Sequence, residues 1–308
     1  MRGRRRCHAW IGLVAAASAC VVTISVIGEG EALSAGAPSR IVYAVVGECD
    51  DQEPDCAGTW LESARVTGPP AREVLTCQEA GCLATDPDVS PADGRIAYAG
   101  GGIYISSGEG SQPRLLVREG NDPSWAPNGG RIVFGRVNGR GGANVLDDYA
   151  LYMKRLGDTP ANRLTKGLGP DWSSQGQIAF ARVDRRFRLD VYVIGPDGQG
   201  LRRVTRGGRS SAPSWAPDGR RLAIERRVGA KTNIVVIDRR GRTLRVLTRK
   251  GGRTPAWSRD GKQIAFYRAD PEFQGNGSVH VVGASGGGLR RVTRGVGYPA
   301  GIDWATGR

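Results

Sequence analysis

The sequence predicts an all-β protein built from one short unit that occurs six times, with the last copy incomplete. A complete unit pairs a Trp with a Pro-Asp-Gly type turn and an apolar strand, as in residues 214–224. The Trp position, which is Val89 in the first copy, advances by 36, 47, 43, 42 and 47 residues. No stretch after residue 35 has the 3.6-residue period of an amphipathic helix. A period of about 40–45 residues with four short strands per unit is the signature of a β-propeller blade.

Each unit supplies four strands in the same order. The Trp strand comes first, and Asp-Gly or Asn-Gly pairs then provide the positive φ angles of a tight hairpin. The predicted third strands are 103–105, 151–153, 191–194, 234–237 and 279–282. The predicted fourth strands are 114–117, 162–165, 203–205, 245–248 and 291–293. A four-stranded blade cannot cover both of its faces alone, so the blades are expected to stack around an axis.

The repeated Trp is predicted to fill the space between blades rather than to bind a ligand, because it is a large apolar residue on the innermost strand. The residues concerned are Trp125, Trp172, Trp215, Trp257 and Trp304.

The two ends of the chain are predicted to share one blade. The segment 40–46 reads as a second strand without its Trp strand, and 58–66 and 72–76 read as the third and fourth strands. The incomplete copy at 301–305 then supplies the innermost strand. Six blades result, and the closed ring has no free sheet edge.

The repeated phrase is similar to the repeats of the TolB C-terminal propeller and its relatives. The Trp-Ser-Pro-Asp-Gly type phrase, the following Ile-Ala-Phe and the Leu-Thr ending carry the resemblance, which covers residues 40–308. The Gly-His and Trp-Asp pairs of ordinary WD-repeat propellers do not occur in the repeats. The α/β domain that precedes the propeller in TolB has no counterpart in the sequence, so the resemblance concerns the propeller alone.

Residues 1–34 are predicted to be a targeting segment, followed by the propeller at 35–308. Four arginines precede an apolar run from Ala9 to Gly28. That run is longer than the core of most signal peptides and close to the length that spans a bilayer. Three interpretations stay open, namely cleavage near 32–34, an uncleaved anchor, and lipidation at Cys20. In each case the propeller is expected outside the cytoplasm, in a periplasmic or secreted form.

The cysteines outside the leader are expected to form disulfides, because the mature chain has an even number of them and is exported. They are Cys49, Cys56, Cys77 and Cys82. Pairing 49–56 and 77–82 is favoured, with 49–82 and 56–77 as the alternative. Zinc is disfavoured, because the spacings are not those of a zinc ribbon.

Charge is unevenly distributed along the chain. Residues 40–93 hold 3 basic and 11 acidic side chains, whereas 94–308 hold 37 and 17. Such an excess attracts anionic lipids, phosphate-bearing polymers and acidic proteins. A solvated basic surface is favoured over a dedicated polyanion site, since many arginines lie in repeat turns. Nucleic acid is not an expected partner.

The binding face is predicted on the side that carries the loops between second and third strands, because these vary most and the scaffold holds them rigidly. The first candidate is the cluster Arg182, Arg185, Arg186 and Arg188 with Phe187 between them, which suits a carboxylate or phosphate. A mobile charged loop is the equal alternative.

The second candidate, predicted on the same face, is a group of carboxylates at the channel mouth, next to the Trp strands. They are Asp88, Asp122, Asp171 and Asp303, with Asp86 nearby. Convergent carboxylates suit a cation such as Ca²⁺. A structural role in orienting the strand starts is favoured, and no cofactor is otherwise expected.

Enzyme chemistry has little support in the sequence. His280 is the one histidine outside the leader, and no Gly-x-Ser-x-Gly elbow precedes an α/β region. The sequence therefore favours a monomeric, non-catalytic binding module of the cell envelope. Its expected partner is an envelope protein or an anionic wall or membrane polymer, with membrane contact through the N-terminal segment only. The alternative is a metal-dependent hydrolase or lactonase with a divalent cation in the channel.

Overall fold

The all-β prediction is confirmed by the computed structural model, which describes residues 40–46, 59–65, 72–75, 84–138, 148–157, 160–269, 277–293 and 301–305. These residues form β-strands and contain no α-helix. The strands are β1 (Arg40–Val46), β2 (Thr59–Arg65), β3 (Arg72–Leu75), β4 (Thr85–Val89), β5 (Ile96–Ala99), β6 (Ile103–Ser106), β7 (Arg114–Val117), β8 (Asn121–Trp125), β9 (Arg131–Val137), β10 (Tyr149–Arg155), β11 (Asn162–Lys166), β12 (Leu168–Trp172), β13 (Ile178–Val183), β14 (Leu189–Ile194), β15 (Arg202–Arg203), β16 (Ser210–Trp215), β17 (Arg221–Val228), β18 (Lys231–Asp238), β19 (Thr243–Val246), β20 (Arg253–Trp257), β21 (Gln263–Ala269), β22 (Gly277–Gly283), β23 (Arg290–Arg291) and β24 (Ile302–Ala305).

These strands pair into six four-stranded antiparallel sheets, which are the six predicted blades. Blades 1 to 5 are β4–β7, β8–β11, β12–β15, β16–β19 and β20–β23, and blade 6 is β24 with β1–β3. Because neighbouring strands are antiparallel, the connections fall on two opposite faces. The turns between first and second strands and between third and fourth strands form the turn face. The loops between second and third strands and the links between blades form the loop-rich face.

The shared blade is confirmed, since β24 pairs with β1 so that Trp304 lies opposite Ile41 and Asp303 opposite Val42. The segments predicted as its third and fourth strands are β2 and β3. The C-terminal strand therefore closes the ring.

The Trp side chains pack between blades, as predicted. Their exposed fractions are 2% for Trp125, 8% for Trp172, 6% for Trp215, 5% for Trp257 and 2% for Trp304. Each belongs to a core cluster that joins its own blade to the preceding one. Trp172, for example, lies with Val133 and Leu151 of blade 2 and Phe180 of blade 3.

Two of the fourth strands are shorter than predicted. Strands β15 and β23 end before the Val-Thr pairs at 204–205 and 292–293. The reason is local. The Thr side-chain hydroxyl accepts the hydrogen bond that a backbone carbonyl of the fourth strand would otherwise accept from the third strand. The N–H of Val191 donates to Thr205 Oγ1 at 2.9 Å, and the N–H groups of Val204 and Thr205 both donate to the Val191 carbonyl. Ile234 with Thr248 and Val279 with Thr293 repeat this arrangement. The Thr at the end of the repeat therefore anchors the fourth strand to the third strand through its hydroxyl.

Replacing Thr248 by Val is expected to lower the free energy of unfolding by about 1–3 kcal/mol, because it leaves the buried N–H of Ile234 without an acceptor. Thr248 is 2% exposed, and its Oγ1 lies 2.9 Å from that nitrogen. Urea unfolding followed by circular dichroism measures the change. Thr243→Val is the matched control, since Thr243 is exposed and its hydroxyl bond to Arg226 is exposed as well. An equal loss in both variants would contradict the assignment.

The leader 1–34 and the four cysteines Cys49, Cys56, Cys77 and Cys82 lie outside the described residues. Their cleavage, anchoring and pairing stay predictions. Within the described residues, no helix is long and apolar enough to cross a membrane.

Candidate functional site at the channel mouth

Every innermost strand reaches the channel through the same bend. The residue three positions before the Trp position adopts a positive φ, and five of the six copies follow it with Pro. These residues are Asp86, Asp122, Gly169, Ala212, Thr254 and Gly301, and a register shift marks each place from β4 to β20. Such a bulge bends the strand and redirects the side chains that follow it.

The residue just before the Trp position reaches across to the next blade. The N–H of Trp125 donates to Asp88 Oδ2 at 2.7 Å, and the N–H of Trp215 donates to Asp171 Oδ2 at 2.5 Å. The N–H of Val89 donates to Asp303 Oδ2 at 2.8 Å, which joins blade 6 to blade 1. Ser124 and Ser214 accept in the same way from Trp172 and Trp257. Asp88, Asp171 and Asp303 therefore each link their own blade to the next one through a backbone N–H.

Blade 5 departs from this pattern, because Ala256 stands where the others have Asp or Ser. The same blade carries Arg259 at the position that is Pro in three other copies. Arg259 Nη2 donates to the Val89 carbonyl at 2.6 Å, and Nε donates to the Trp304 carbonyl at 3.4 Å. Sequence reasoning missed Arg259. Its signal was the joint departure of two repeat positions in one blade.

Three carboxylates converge on one cavity of about 230 Å³, lined by Asp88, Asp171, Asp303, Arg259 and the indoles of blades 2 to 5. Pro91, Pro127 and Pro217 of the first turns also line it, so this mouth opens on the turn face. The predicted set is thus brought together at three positions. The prediction that these carboxylates lie on the loop-rich face is wrong, because the strands carry Asp88, Asp171 and Asp303 to the turn face.

The carboxylates at this mouth carry perturbed pKa values. Burial, with a smaller contribution from the charge of Asp303, raises the pKa of Asp171 to about 7. Burial and the Asp303 charge also raise the pKa of Asp88 well above its ordinary value, and burial raises the pKa of Asp303. Arg259 partly offsets the last two. Carboxylates held together despite burial and repulsion are typical of functional sites.

Asp122 is placed elsewhere in the channel, with Asp86, two residues further along the strand toward the loop-rich face. The carboxylate of Asp86 accepts from the backbone of Asp122, and that of Asp122 accepts from the backbone of Gly169. Burial raises the pKa of both groups. The channel therefore has two acidic tiers, and the one at the turn face has the cavity.

The described residues hold no group of three or more His, Cys, Asp or Glu side chains arranged to bind a metal ion. At the mouth, one oxygen of each carboxylate already accepts a backbone N–H from the next blade. The Ca²⁺ hypothesis stays a prediction from the sequence.

The arginine cluster lies on the loop-rich face, in and around the hairpin turn between β13 and β14. Asp184 Oδ1 accepts from the N–H groups of Arg186 and Arg188, and Arg188 Nη2 donates to Asp184 Oδ2 at 2.7 Å. These hydrogen bonds lower the pKa of Asp184 to about 2, and the bond from the Arg188 side chain contributes most. Phe187 has a φ of 56° and is 54% exposed.

The five predicted residues of this cluster are therefore not equivalent. Arg185, Arg186 and Phe187 project from the tip of the hairpin, while Arg188 pairs with Asp184. Arg182 lies over the ring of Tyr192, with 5.8 Å from Cζ to the ring centroid. Arg185, Arg186, Phe187 and Arg188 are exposed, and among the four only Arg188 has its charge paired within the hairpin.

The chain is similar in sequence to one TolB protein and in fold to several solved propellers. The chain is 28% identical over 134 residues to the Tol-Pal system protein TolB of Nitratidesulfovibrio vulgaris, a match covering 41% of this chain and 27% of that protein. TolB from Acinetobacter baumannii superposes with a TM-score of 0.71 at 18% identity, over 87% of this chain and 66% of that one. A protein assigned as TolB from Agrobacterium tumefaciens gives 0.65 at 19% identity, over 86% and 92%.

The chain thus matches about a quarter of the curated relative and just under two thirds of the Acinetobacter structure. More distant propellers include an enzyme, an oligogalacturonate lyase in complex with manganese, with a TM-score of 0.52 at 14% identity over 77% of this chain and 71% of that one. No protein-family model matches the chain.

Proposed function

We propose that this chain, a TolB-like six-bladed β-propeller, acts outside the cytoplasm as a non-catalytic module that binds an envelope protein at the channel mouth of the turn face. The observation that carries the proposal is the convergence of Asp88, Asp171 and Asp303 on one open cavity. The similarity to a Tol-Pal system protein supports a protein partner in the envelope.

The mouth suits a segment of a partner that presents a cation. Among the described residues that line the cavity, Arg259 is the one basic side chain beside these carboxylates, and the surrounding surface is made of indole edges and proline rings. A Lys or Arg side chain or an amino terminus would relieve the repulsion between the carboxylates, while apolar neighbours would pack on the indoles. The rigid ring limits the ordering entropy lost on binding.

A catalytic role as a metal-dependent hydrolase is the weaker alternative. A propeller lyase with manganese shares the architecture at low identity, and fold alone does not transfer activity. The carboxylate oxygens engaged by backbone N–H groups disfavour it.

The triple variant Asp88→Asn, Asp171→Asn, Asp303→Asn is expected to lose a partner captured from envelope extract. Asn cannot ionise to pair with a cationic segment, while it keeps the shape and an oxygen that accepts the backbone N–H. We expect at least a tenfold loss of captured partner, measured by affinity purification with the full chain and mass spectrometry. The matched control is Asp93→Asn, Asp197→Asn, Asp218→Asn, which removes three exposed carboxylates from the same face.

Capture that survives in the triple variant and disappears with Arg185→Ser, Arg186→Ser would place the partner on the loop-rich face and refute the channel mouth. A stoichiometric divalent cation in the wild-type protein without a captured partner would favour the hydrolase.

A further inference from the structure

The loop-rich face carries two exposed apolar tips on neighbouring blades. Phe187 is 54% exposed at the β13–β14 hairpin, and Val228 is 57% exposed at the β17–β18 hairpin. They are the two most exposed large apolar side chains in the described part of the chain. Neither side chain belongs to the hydrophobic core.

Backbone pairing joins the two tips into one surface. Leu189, which follows the first hairpin, forms a parallel bridge with Arg209 in the link between blades 3 and 4. The N–H of Arg227, next to Val228, donates to the carbonyl of Arg209 at 2.9 Å. Both tips are therefore fixed to the same link.

That link is itself anchored beneath the surface. The buried carboxylate of Asp190 accepts from Arg203, from the Thr205 hydroxyl at 2.7 Å and from the N–H of Gly208 at 2.9 Å. Gly208 has a φ of 67°, and a Cβ there would lie 2.4 Å from Arg188 Cβ, so the hairpin rests directly on the link. The tips are held by the scaffold.

The surface around the tips is strongly basic. The segments 184–188, 204–209, 226–231 and 247–253, which we call the basic tip surface, hold eleven basic residues and one acidic residue. The acidic residue is Asp184, which pairs with Arg188. Side chains exposed there include Arg185, Arg186, Arg206, Arg209, Arg227, Lys231, Arg249 and Lys250.

We propose that the basic tip surface docks on an anionic lipid bilayer, with Phe187 and Val228 in the headgroup region and the surrounding arginines on lipid phosphates. Charge complementarity selects an anionic surface. The apolar tips select a bilayer over a soluble polyanion, because a polymer in water offers nothing to bury them, whereas the boundary between headgroups and acyl chains does.

This inference is independent of the proposed function, since it concerns the opposite face. A propeller resting on a bilayer through its loop-rich face would present the mouth with Asp88, Asp171 and Asp303 away from the lipid. It also adds a membrane contact to the one that the sequence predicts for the N-terminal segment.

The test uses the full-length chain, so that any contribution of the N-terminal segment is the same in every variant. Phe187→Trp serves as a depth reporter, and Leu289→Trp on the turn face, where Leu289 is 51% exposed, serves as its control. Bromine-labelled lipid in vesicles of phosphatidylcholine with phosphatidylglycerol is expected to quench the added emission of the first variant and to leave that of the second.

Flotation then measures binding strength. Phe187→Asn with Val228→Asn is expected to reduce binding to the anionic vesicles at least tenfold relative to Leu201→Asn with Leu289→Asn, two exposed leucines of the turn face. Arg185→Ser with Arg186→Ser is expected to reduce it about fivefold per arginine relative to Arg220→Ser with Arg240→Ser, and the difference should vanish at high salt.

Three results would overturn the proposal. The first is equal quenching of both Trp reporters. The second is that every variant binds pure phosphatidylcholine vesicles as strongly as the anionic vesicles. The third is that the protein binds polyphosphate as strongly as vesicles while the Phe187 and Val228 variants bind like wild type. The last result would identify a soluble polyanion as the ligand.

Discussion

Replacing Trp304 by Ala is expected to destabilise the protein by about 3–5 kcal/mol. Trp304 is 2% exposed on the C-terminal strand β24 and packs with Ile41, Tyr43 and Ala256 at the junction of blades 5 and 6. Its Nε1 also donates to the Ala256 carbonyl at 2.9 Å. Since a chain terminus ordinarily frays, a loss of this size measures how far ring closure depends on the last strand. Guanidinium unfolding followed by fluorescence gives the free energy.

The matched control is Trp215→Ala, the same repeat position in the middle of the chain, with an exposed fraction of 6%. Similar losses at the two positions are expected, because both indoles fill the space between blades. A loss below about 1 kcal/mol for Trp304 beside a large one for Trp215 would show that the ring holds without its C-terminal strand.

The blade architecture was predictable because every unit repeats the same local sequence pattern. The Trp strand, the tight turn and the apolar strand recur at a spacing that leaves room for four strands and no helix. The sharing of blade 6 also followed, since 40–46 lacks a Trp strand and 303–308 lacks the strand after it. The short strands β15 and β23 were not foreseen, because a Thr hydroxyl that replaces a strand pairing has no hydrophobic pattern.

The candidate site was predictable in part. The sequence identified Asp88, Asp122, Asp171 and Asp303 as neighbours of the Trp strands. Their division into two tiers depends on distance along the strand, about 6–7 Å for two residues, and on a bulge that no periodicity reveals. The opening of the cavity on the turn face was not foreseen, because the binding face was predicted from the variability of the loops, which lie on the opposite face. Arg259 was missed because arginine is common throughout the chain.

Lowering the pH from about 8 to about 5 is expected to stabilise the protein, and Asp171→Asn is expected to abolish part of that gain. Asp171 has its pKa raised by burial from 3.8 to about 7, so the folded state binds this proton more tightly than the unfolded state. Its contribution to stability is fully present below pH 3.8 and is lost as the pH rises toward 7. Removing the charge should therefore stabilise the protein at pH 8, on the order of 1–2 kcal/mol once water in the channel is allowed for.

Other groups contribute to the same pH range with different signs. The pKa values of Asp86, Asp88, Asp122, Asp303 and Glu225 are also raised, chiefly by burial, and act in the same direction. His280 opposes them, because burial lowers its pKa and the unfolded state then binds the proton more tightly near pH 6. The difference between Asp171→Asn and wild type at each pH isolates Asp171 and its effect on the neighbouring Asp88.

Thermal unfolding at the two pH values checks this prediction. Asp171→Asn should melt a few degrees above wild type near pH 8, and the gap should narrow toward pH 5, where the folded wild-type carboxyl is already neutral, and close only near pH 3.8. Asp197→Asn, which removes an exposed turn carboxylate from the same face, is the matched control. A variant that melts below wild type near pH 8 would mean that the bond from the Trp215 N–H to a charged oxygen outweighs the repulsion and burial. The expected result would mean instead that the mouth keeps a charge at the expense of stability, in agreement with the proposed binding of a cationic segment.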